Sequence, residues 1–358
     1  MLYEQRLRAR TFGLVQGPSL LTGFPAAVVP IRGKRELFVD ETLQDLRELP
    51  HGPCITTFNI VIRAREGGEV LWTRPFATKA DALTIWLRLI DRRPLLCPTT
   101  WRDGELEYLF LTINQYTTVG STTWFPVGGT AGNGDLLIVA GGGGSKGYGG
   151  GGAGGMQTHI GVNLIPQVGG TVTVGGGSSG ANGGNSGFGG YGCNGGGYGG
   201  TSAVAGATGG SGGGGGGPSS GVGGTSGGAG VAGQGYAGAD GFSDGATYTA
   251  GGGGGGKASA GGGIYGGAGA SSYAGTGGDG LQSSMTGSAV YYAAGGGGYN
   301  NVGSWGYNGT GYRAAANSGC GSANGAAVGW SGFVVVSYTP IPFYYPPMDP
   351  RRRKYLRK

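Results

Sequence analysis

Residues 209–217 read Gly-Gly-Ser-Gly-Gly-Gly-Gly-Gly-Gly, and residues 251–256 are six consecutive glycines. Such runs have no side chain to bury, and glycine in regular structure costs about 0.5–1 kcal/mol per residue relative to alanine. Two states are open to them: a solvated Gly/Ser linker, or an array in which backbone amides satisfy one another. The surrounding residues favour the array. Tyrosines 148, 191, 198, 236, 248, 265, 273, 291, 292, 299, 307 and 312, with Trp305 and Trp330, punctuate the region, and strand-like runs close it at Leu136–Val139 and Phe333–Val336. A linker has no use for either feature.

The backbone form that suits such runs is the left-handed extended helix with three residues per turn, a rise of about 3.1 Å and no internal hydrogen bonds. Its amides point outward in three directions, so parallel rods can bond to one another wherever the facing columns lack Cβ atoms. The expectation is Gly-only rods inside, mixed rods at the faces, and aromatic or Asn-containing loops at the ends. Each cross-bond contributes about 1 kcal/mol net, which makes the bundle stiff.

Of the 92 glycines in 358 residues, 79 fall between 141 and 333. The chain divides into an extended arm at 1–35, a small domain at 36–120, the glycine-rich bundle at 121–338, and a Pro/aromatic basic tail at 339–358. The arm carries no apolar period and reads either as docked on a neighbour or as frayed. Charge follows the same division: +2 for residues 1–125, −1 for 126–338 and +5 for the tail, which together make the net +6. A nucleic-acid-binding domain concentrates Lys and Arg on one folded face, and the bundle has almost none, so nucleic acid is not an expected partner.

The small domain reads as α+β. Asp40 caps a helix at 41–49, residues 55–65 alternate as a strand, and Gly67-Gly68 turns into a second strand at 70–73. Thr78 and Asp81 resemble a capping box before an amphipathic helix carrying Leu83, Trp86, Leu87 and Ile90. Further strands are expected near Trp101 and at 106–116. The overall fold expected is therefore an α+β N-terminal domain followed by a polyglycine-type bundle bracketed by short strands. No run reaches the ~20 apolar residues of a membrane span, and no apolar segment follows Arg6, Arg8 and Arg10 as a signal peptide requires.

Several segments, in order, carry a resemblance: Trp124-Phe125-Pro126, Asp135-Leu-Leu-Ile-Val-Ala140 with Gly141–Gly144, Gly169-Gly-Thr-Val-Thr-Val-Gly175, Thr247-Tyr-Thr-Ala-Gly251, Met285-Thr-Gly-Ser-Ala-Val-Tyr-Tyr292 before Gly295–Gly298, and Gly332-Phe-Val-Val-Val-Ser-Tyr338. Over about residues 121–339 this series resembles the glycine-rich domains of bacteriophage tail-fibre and related virion proteins. The resemblance implies a virion protein with a polyglycine-helix bundle, similar in principle to the receptor-binding tips of T-even-type long tail fibres. It further implies a homotrimer, other virion proteins as partners, and a host cell-surface receptor. A capsid, neck or baseplate decoration without receptor binding is the structural alternative. A secreted ice- or surface-binding protein is the other, and it requires regular flat faces.

Catalytic chemistry has little to draw on. The histidines are His51 and His159, and the acids of the bundle, Asp135, Asp240, Asp244 and Asp279, are isolated in sequence. No triad, metal-ligand spacing or carboxylate pair emerges, so neither enzyme activity, cofactor nor metal is expected. Lys257 after Gly256 lacks the flanking strand and helix of a phosphate loop. Cys54, Cys97, Cys193 and Cys320 have neither zinc-site nor disulfide-scaffold spacing and read as free thiols. The segment best suited to recognition is Tyr299, Asn300, Asn301, Trp305, Tyr307, Asn308, Tyr312 and Arg313, since aromatics with Asn make rigid, adaptable contact surfaces. The competing reading lays the same rings over the Gly rods as a lid. In the tail, Phe343, Tyr344 and Tyr345 are candidates to dock on a neighbouring subunit and Arg351, Arg352 and Arg353 to meet an acidic surface. A solvated tail is the alternative.

Overall fold

The computed structural model describes residues 54–64, 70–78, 81–82, 85–86, 96–97, 100–103, 106–126, 131–165, 169–202, 204–218, 221–264, 273–286, 289–301, 306–312, 315–323, 328–340 and 343–344. The expected arm at 1–35 and the helix at 41–49 lie outside these residues, as do Trp305, Arg313, Tyr345 and Arg351–Arg353.

In chain order the strands are β1 (Cys54–Ala64), β2 (Val70–Phe76), β3 (Leu96–Cys97), β4 (Thr100–Asp103), β5 (Leu106–Tyr116), β6 (Gly120–Thr123), β7 (Ala131–Val139), β8 (Met156–Asn163), β9 (Thr171–Val174), β10 (Ser186–Phe188), β11 (Tyr191–Cys193), β12 (Gly221–Val222), β13 (Phe242–Gly245), β14 (Thr249–Ala250), β15 (Leu281–Ser283), β16 (Val290–Tyr292), β17 (Phe333–Pro340) and β18 (Phe343–Tyr344). The α+β expectation is corrected. Among the described residues helical turns occur only at 81–82 and 85–86, and the N-terminal part is built on long antiparallel strands. The Thr78 hydroxyl does bond Asp81, and Ala82 N donates to Thr78 O. That cap stands before the helical residues 81–82 and 85–86, where Ala82 and Trp86 are buried. The two eleven-residue strands β1 and β5 dominate instead, paired along their whole length.

The main sheet has the order β2-β1-β5-β17-β7-β8, with β4 beside β5. Strand β17 comes last of these in sequence and lies between two strands made some two hundred residues earlier. Phe333 pairs with Val139 and Val336 with Leu136, so the two runs that bracket the glycine-rich region are neighbours, while Val334 pairs with Tyr116 on the other side. The sheet therefore runs across residue 120 without interruption. Both faces of β17 are buried. Val334, Val336 and Tyr338 join Trp124, Leu136, Ile138, Val172, Val174 and Phe188 under the small sheet β11-β10-β9-β6. Phe333 and Val335 join Leu137, Val139, Met156 and Tyr292 on the opposite face. Trp124 stands edge-on to Phe188 and Tyr338 and donates its Nε1–H to Asn114 Oδ1 at 3.3 Å, which satisfies a polar pair inside that core.

The glycine-rich bundle grows directly from this sheet. Leaving β7 at Val139, the chain runs on through 140–144, turns at 145–148, and returns through 149–155 into β8. Segment 149–155 shows the principle of the rest. Its N–H groups at 149, 152 and 155 donate to carbonyls 200, 197 and 194; those at 150 and 153 to 252 and 255; those at 151 and 154 to 322 and 319, all at 2.8–3.0 Å. Its carbonyls accept from Gly214 and Ser211, from Gly296, and from Gly143 and Ala140. Partners repeat every third residue, as three-fold rods require, and this rod has six neighbours. Segments 140–144, 211–217 and 251–256 are surrounded in the same way; 251–256 bonds with rods near 299, 215, 262, 275, 150 and 239.

Glycine is obligatory in these rods because each Cβ direction ends on a neighbour. A methyl on Gly214 would overlap the carbonyl of Gly252, and one on Gly253 the carbonyl of Thr276. The interior is nevertheless not glycine alone: Ala153, Ser211, Cys320 and Ser322 are fully buried. Ala153 lies level with the side-chain core and joins its apolar cluster. Ser211 and Ser322 find room where Gly235 and Gly151 have no Cβ.

Outer rods replace glycine at every third position. Ser179, Asn182 and Asn185 are exposed on one, Ser226 and Ala229 on another, Ala237 and Asp240 on a third. Inner and outer positions should therefore differ sharply in tolerance. Gly214→Ala or Gly253→Ala is expected to destabilise by about 3 kcal/mol or more through overpacking against fixed backbone, whereas Ala229→Gly should stay within about 1 kcal/mol. Chemical-denaturation midpoints of the variants check this.

Candidate functional site

The turn at 145–148 marks the end of the bundle away from the sheet, and hydrogen-bond register shows what else reaches that level. Ser145 fixes the turn, its Oγ donating toward the carbonyls of Gly147 and Gly149 and accepting from Gly147 N. Tyr299 N donates to Tyr148 O at 2.7 Å and the two rings stack at 6.1 Å, with 10° between planes. Beside them the Lys146 ammonium lies over the Tyr198 ring at 3.7 Å. Strands β12, β13 and β14 form a three-stranded cap at the same end, bridged to the bundle through Ala250 and Asn300. This apex exposes Val222 at 83% and Phe242 at 36%, with the half-buried Tyr148, Tyr198 and Tyr299 between them.

The structure divides the candidate segment 299–313. Tyr299, Asn300 and Asn301 belong to the apex, where the asparagines serve the fold. Buried Asn300 donates its amide to Tyr248 Oη at 3.2 Å, and Asn301 accepts from Thr249 N while donating to Thr247 O. Tyr307 and Asn308 sit on an outer rod down the side. Asn308 Oδ1 accepts from Gly297 N, and the Tyr307 side chain is 75% exposed. Tyr312 is half-buried beneath Trp330, whose Nε1–H points at its hydroxyl at 3.4 Å, and burial raises its pKa. Phe343 and Tyr344 form β18, which pairs with β3 and returns the chain to the sheet end. Sequence reasoning missed Tyr148 as the partner of Tyr299 and the neighbouring Lys146–Tyr198 pair. The signal available was the Ser145-Lys-Gly-Tyr148 interruption between two glycine runs, which marks a turn.

The acids isolated in sequence prove to share one use. Asp135 Oδ1 accepts from Gly161 N, Asp240 Oδ1 from Gly227 N and Asp279 Oδ1 from Thr310 N. Asp244 Oδ1 accepts from Ala246, Thr247 and Tyr248 N, folding the β13–β14 turn around one carboxylate. These bonds hold the Asp244 pKa down at about 2, the Tyr248 and Ala246 amides contributing most, and bonds from Thr310 lower that of Asp279. Such carboxylates are occupied as caps. Cys193 and Cys320 are buried thiols outside any disulfide, and burial pushes the Cys193 thiol up to about 12, far from a reactive thiolate. Burial also lowers the His159 pKa, its ring lying 4.6 Å from Tyr191. Among the described residues no three His, Cys, Asp or Glu side chains converge to hold a metal, and no helix is long and apolar enough to cross a membrane.

Comparison of the chain with protein-family models, with curated proteins and with solved structures returned no match.

The caps set an acid limit. A carboxyl whose folded pKa is depressed contributes stability that is complete above its unfolded value of about 3.9 and is lost as pH falls through the folded value. Thermal midpoints should thus hold steady above about pH 4 and fall as pH drops toward the Asp244 value of about 2. Asp244→Asn should flatten that part of the curve, measured by circular dichroism from neutral to strongly acid buffer.

Proposed function

We propose that this chain is a non-enzymatic structural protein of a bacteriophage virion. The sheet end attaches to other virion proteins, and the glycine-rich bundle projects as a tail-fibre or adhesin-type module whose apex meets a host-surface receptor. Copies assemble as trimers. The observation that carries this reading is the rod lattice itself. Four adjoining rods, 140–144, 149–155, 211–217 and 251–256, are each cross-bonded on all sides by backbone, which makes a stiff body able to hold its end loops in fixed positions. Preorganised loops bind without a large ordering cost.

The polarity of the chain supports the same assignment. Strand β17 runs from the bundle toward the far edge of the sheet, and β18, which follows it, pairs with β3, so Phe343 and Tyr344 lie toward the sheet end, opposite the apex. Tyr148, Tyr198, Tyr299 and Phe242 give the apex the aromatic content of a contact surface, and Lys146 supplies a cation. The resemblance of residues 121–339 to glycine-rich domains of phage fibres points in the same direction.

Two measurements test the proposal. Gold labels placed at position 222 and at position 358 of the chain in assembled particles should appear at different distances from the particle body, the former outermost. Equal depth within a shell or collar would replace the adhesin reading by that of a decoration protein. Independently, Tyr148→Ala combined with Lys146→Ala should lower particle adsorption at least tenfold, the loss expected when about 1.4 kcal/mol of contact is removed. Particle yield should stay unchanged. Lost assembly with normal adsorption per particle would instead place these residues in packing.

A further inference from the structure

Down one side of the bundle two outer rods run parallel. Gly277 N donates to Tyr307 O at 2.7 Å and Gly280 N to Thr310 O at 2.9 Å, a register that repeats every third residue. The outward column of the first rod is Tyr273, Thr276 and Asp279, and that of the second is Tyr307 and Thr310. A third rod flanks them, Gly262 N donating to Thr276 O, and its outward positions, Ala260 and Gly263, are small. Tyr273 and Tyr307 are 51% and 75% exposed. The Tyr307 carbonyl is itself bonded into the lattice, and Tyr273 stands two residues before Gly275, whose N–H and carbonyl bond Gly251 and Gly298, so these rings rise from a fixed, shallow face. By the register, Tyr307 lies beside Thr276, one repeat or about 9 Å along the axis from Tyr273.

The geometry points to a binding face for an extended, uncharged polysaccharide lying along the rods. Two flat rings one repeat apart on adjacent rods offer stacking platforms to alternate sugar units, since aromatic faces take apolar sugar C–H surfaces while the tyrosine hydroxyls stay polar. Thr276 and Thr310 stand in the same rows as hydrogen-bonding groups, and the small column of Ala260 and Gly263 leaves one flank low. Charge selects the class of chain. Among the described residues of this face the one ionised group is Asp279, held as a carboxylate by its bonds from Thr310, so an acidic polysaccharide is repelled. This face begins at the apex level, where Ala274 packs with Tyr248 and Ala250, and runs down the side of the bundle; it uses neither Lys146 nor Tyr148, so its variants and those above test the two readings separately.

The test uses the purified full-length chain with cellohexaose and chitohexaose as straight, neutral probes, followed by calorimetry and affinity electrophoresis. At least one hexasaccharide should bind with little dependence on salt, and the corresponding disaccharide at least tenfold more weakly, because it reaches one ring. Tyr273→Ala and Tyr307→Ala should each cost tenfold or more, while Tyr273→Phe and Tyr307→Phe retain binding. Unchanged thermal midpoints in all four variants exclude a folding effect, as expected for exposed side chains. The proposal is overturned if neither hexasaccharide binds at millimolar concentration, or if the double alanine variant binds as the parent does. It is equally overturned if the face proves to be a contact between copies, seen as self-association abolished by Tyr307→Ala.

Discussion

The bundle depends on one close approach: a glycine Cα of one rod against the carbonyl of the next. Wherever that contact occurs the three-fold rod can direct successive amides at different neighbours, and a segment of seven residues such as 149–155 becomes bonded to six others. The conformational entropy that glycine loses on ordering is offset by hydrogen bonds in place of apolar burial. Each such bond has a modest net contribution, but they share donors and acceptors so densely that no interior rod can leave without breaking bonds to all its neighbours. The consequence is a stiff body made from residues usually associated with flexibility.

The same constraint explains why the lattice is finite. A rod face bearing only glycine would accept another rod, as an unprotected sheet edge accepts a strand. The outward columns carry serine, alanine, asparagine, tyrosine and aspartate at every third residue, and any Cβ there holds a further rod away. Where a rod has no neighbour in one direction, a side chain imitates the missing peptide group. Asn182, Asn185, Asn308, Asp240 and Asp279 each accept a backbone N–H that the lattice leaves over. At the sheet end the rods continue into ordinary strands, and Ala153 marks the level at which side chains resume their usual role in the core.

How far this was legible in the sequence follows from which physical rule each element obeys. Gly212–Gly217 and Gly251–Gly256 are interior rods because nothing else fits, and composition alone reveals that. Runs 136–139 and 333–336 read as boundaries, yet their mutual pairing, and the insertion of β17 beside β5, depend on contacts distant in sequence that no local pattern encodes. The capping pair Thr78–Asp81 was visible and forms; what overturns the α+β reading is the full-length pairing of β1 with β5, a contact between segments some fifty residues apart. The segment 299–313 was divided for a related reason. Tyr299 and Tyr307 stand on separate, neighbouring rods, Gly306 N bonding Gly298 O, while the fold brings Tyr148, from 151 residues earlier, against Tyr299.

A protein whose interior is backbone leaves its side chains for the surface, and that shifts where function can reside. In an ordinary domain large aromatics are mostly consumed by the core; here Phe188, Trp124 and Tyr338 serve the sheet end in that way, while Tyr273 and Tyr307 are not needed by the rods beneath them. The bundle carboxylates Asp135, Asp240, Asp244 and Asp279, in contrast, are committed to capping. Surface rings held at fixed spacings by an unyielding lattice suit recognition of something repetitive, since each weak contact is made without further ordering. The carboxylates spent on capping and the rings left at the surface thus have one origin, the replacement of side-chain packing by peptide hydrogen bonds.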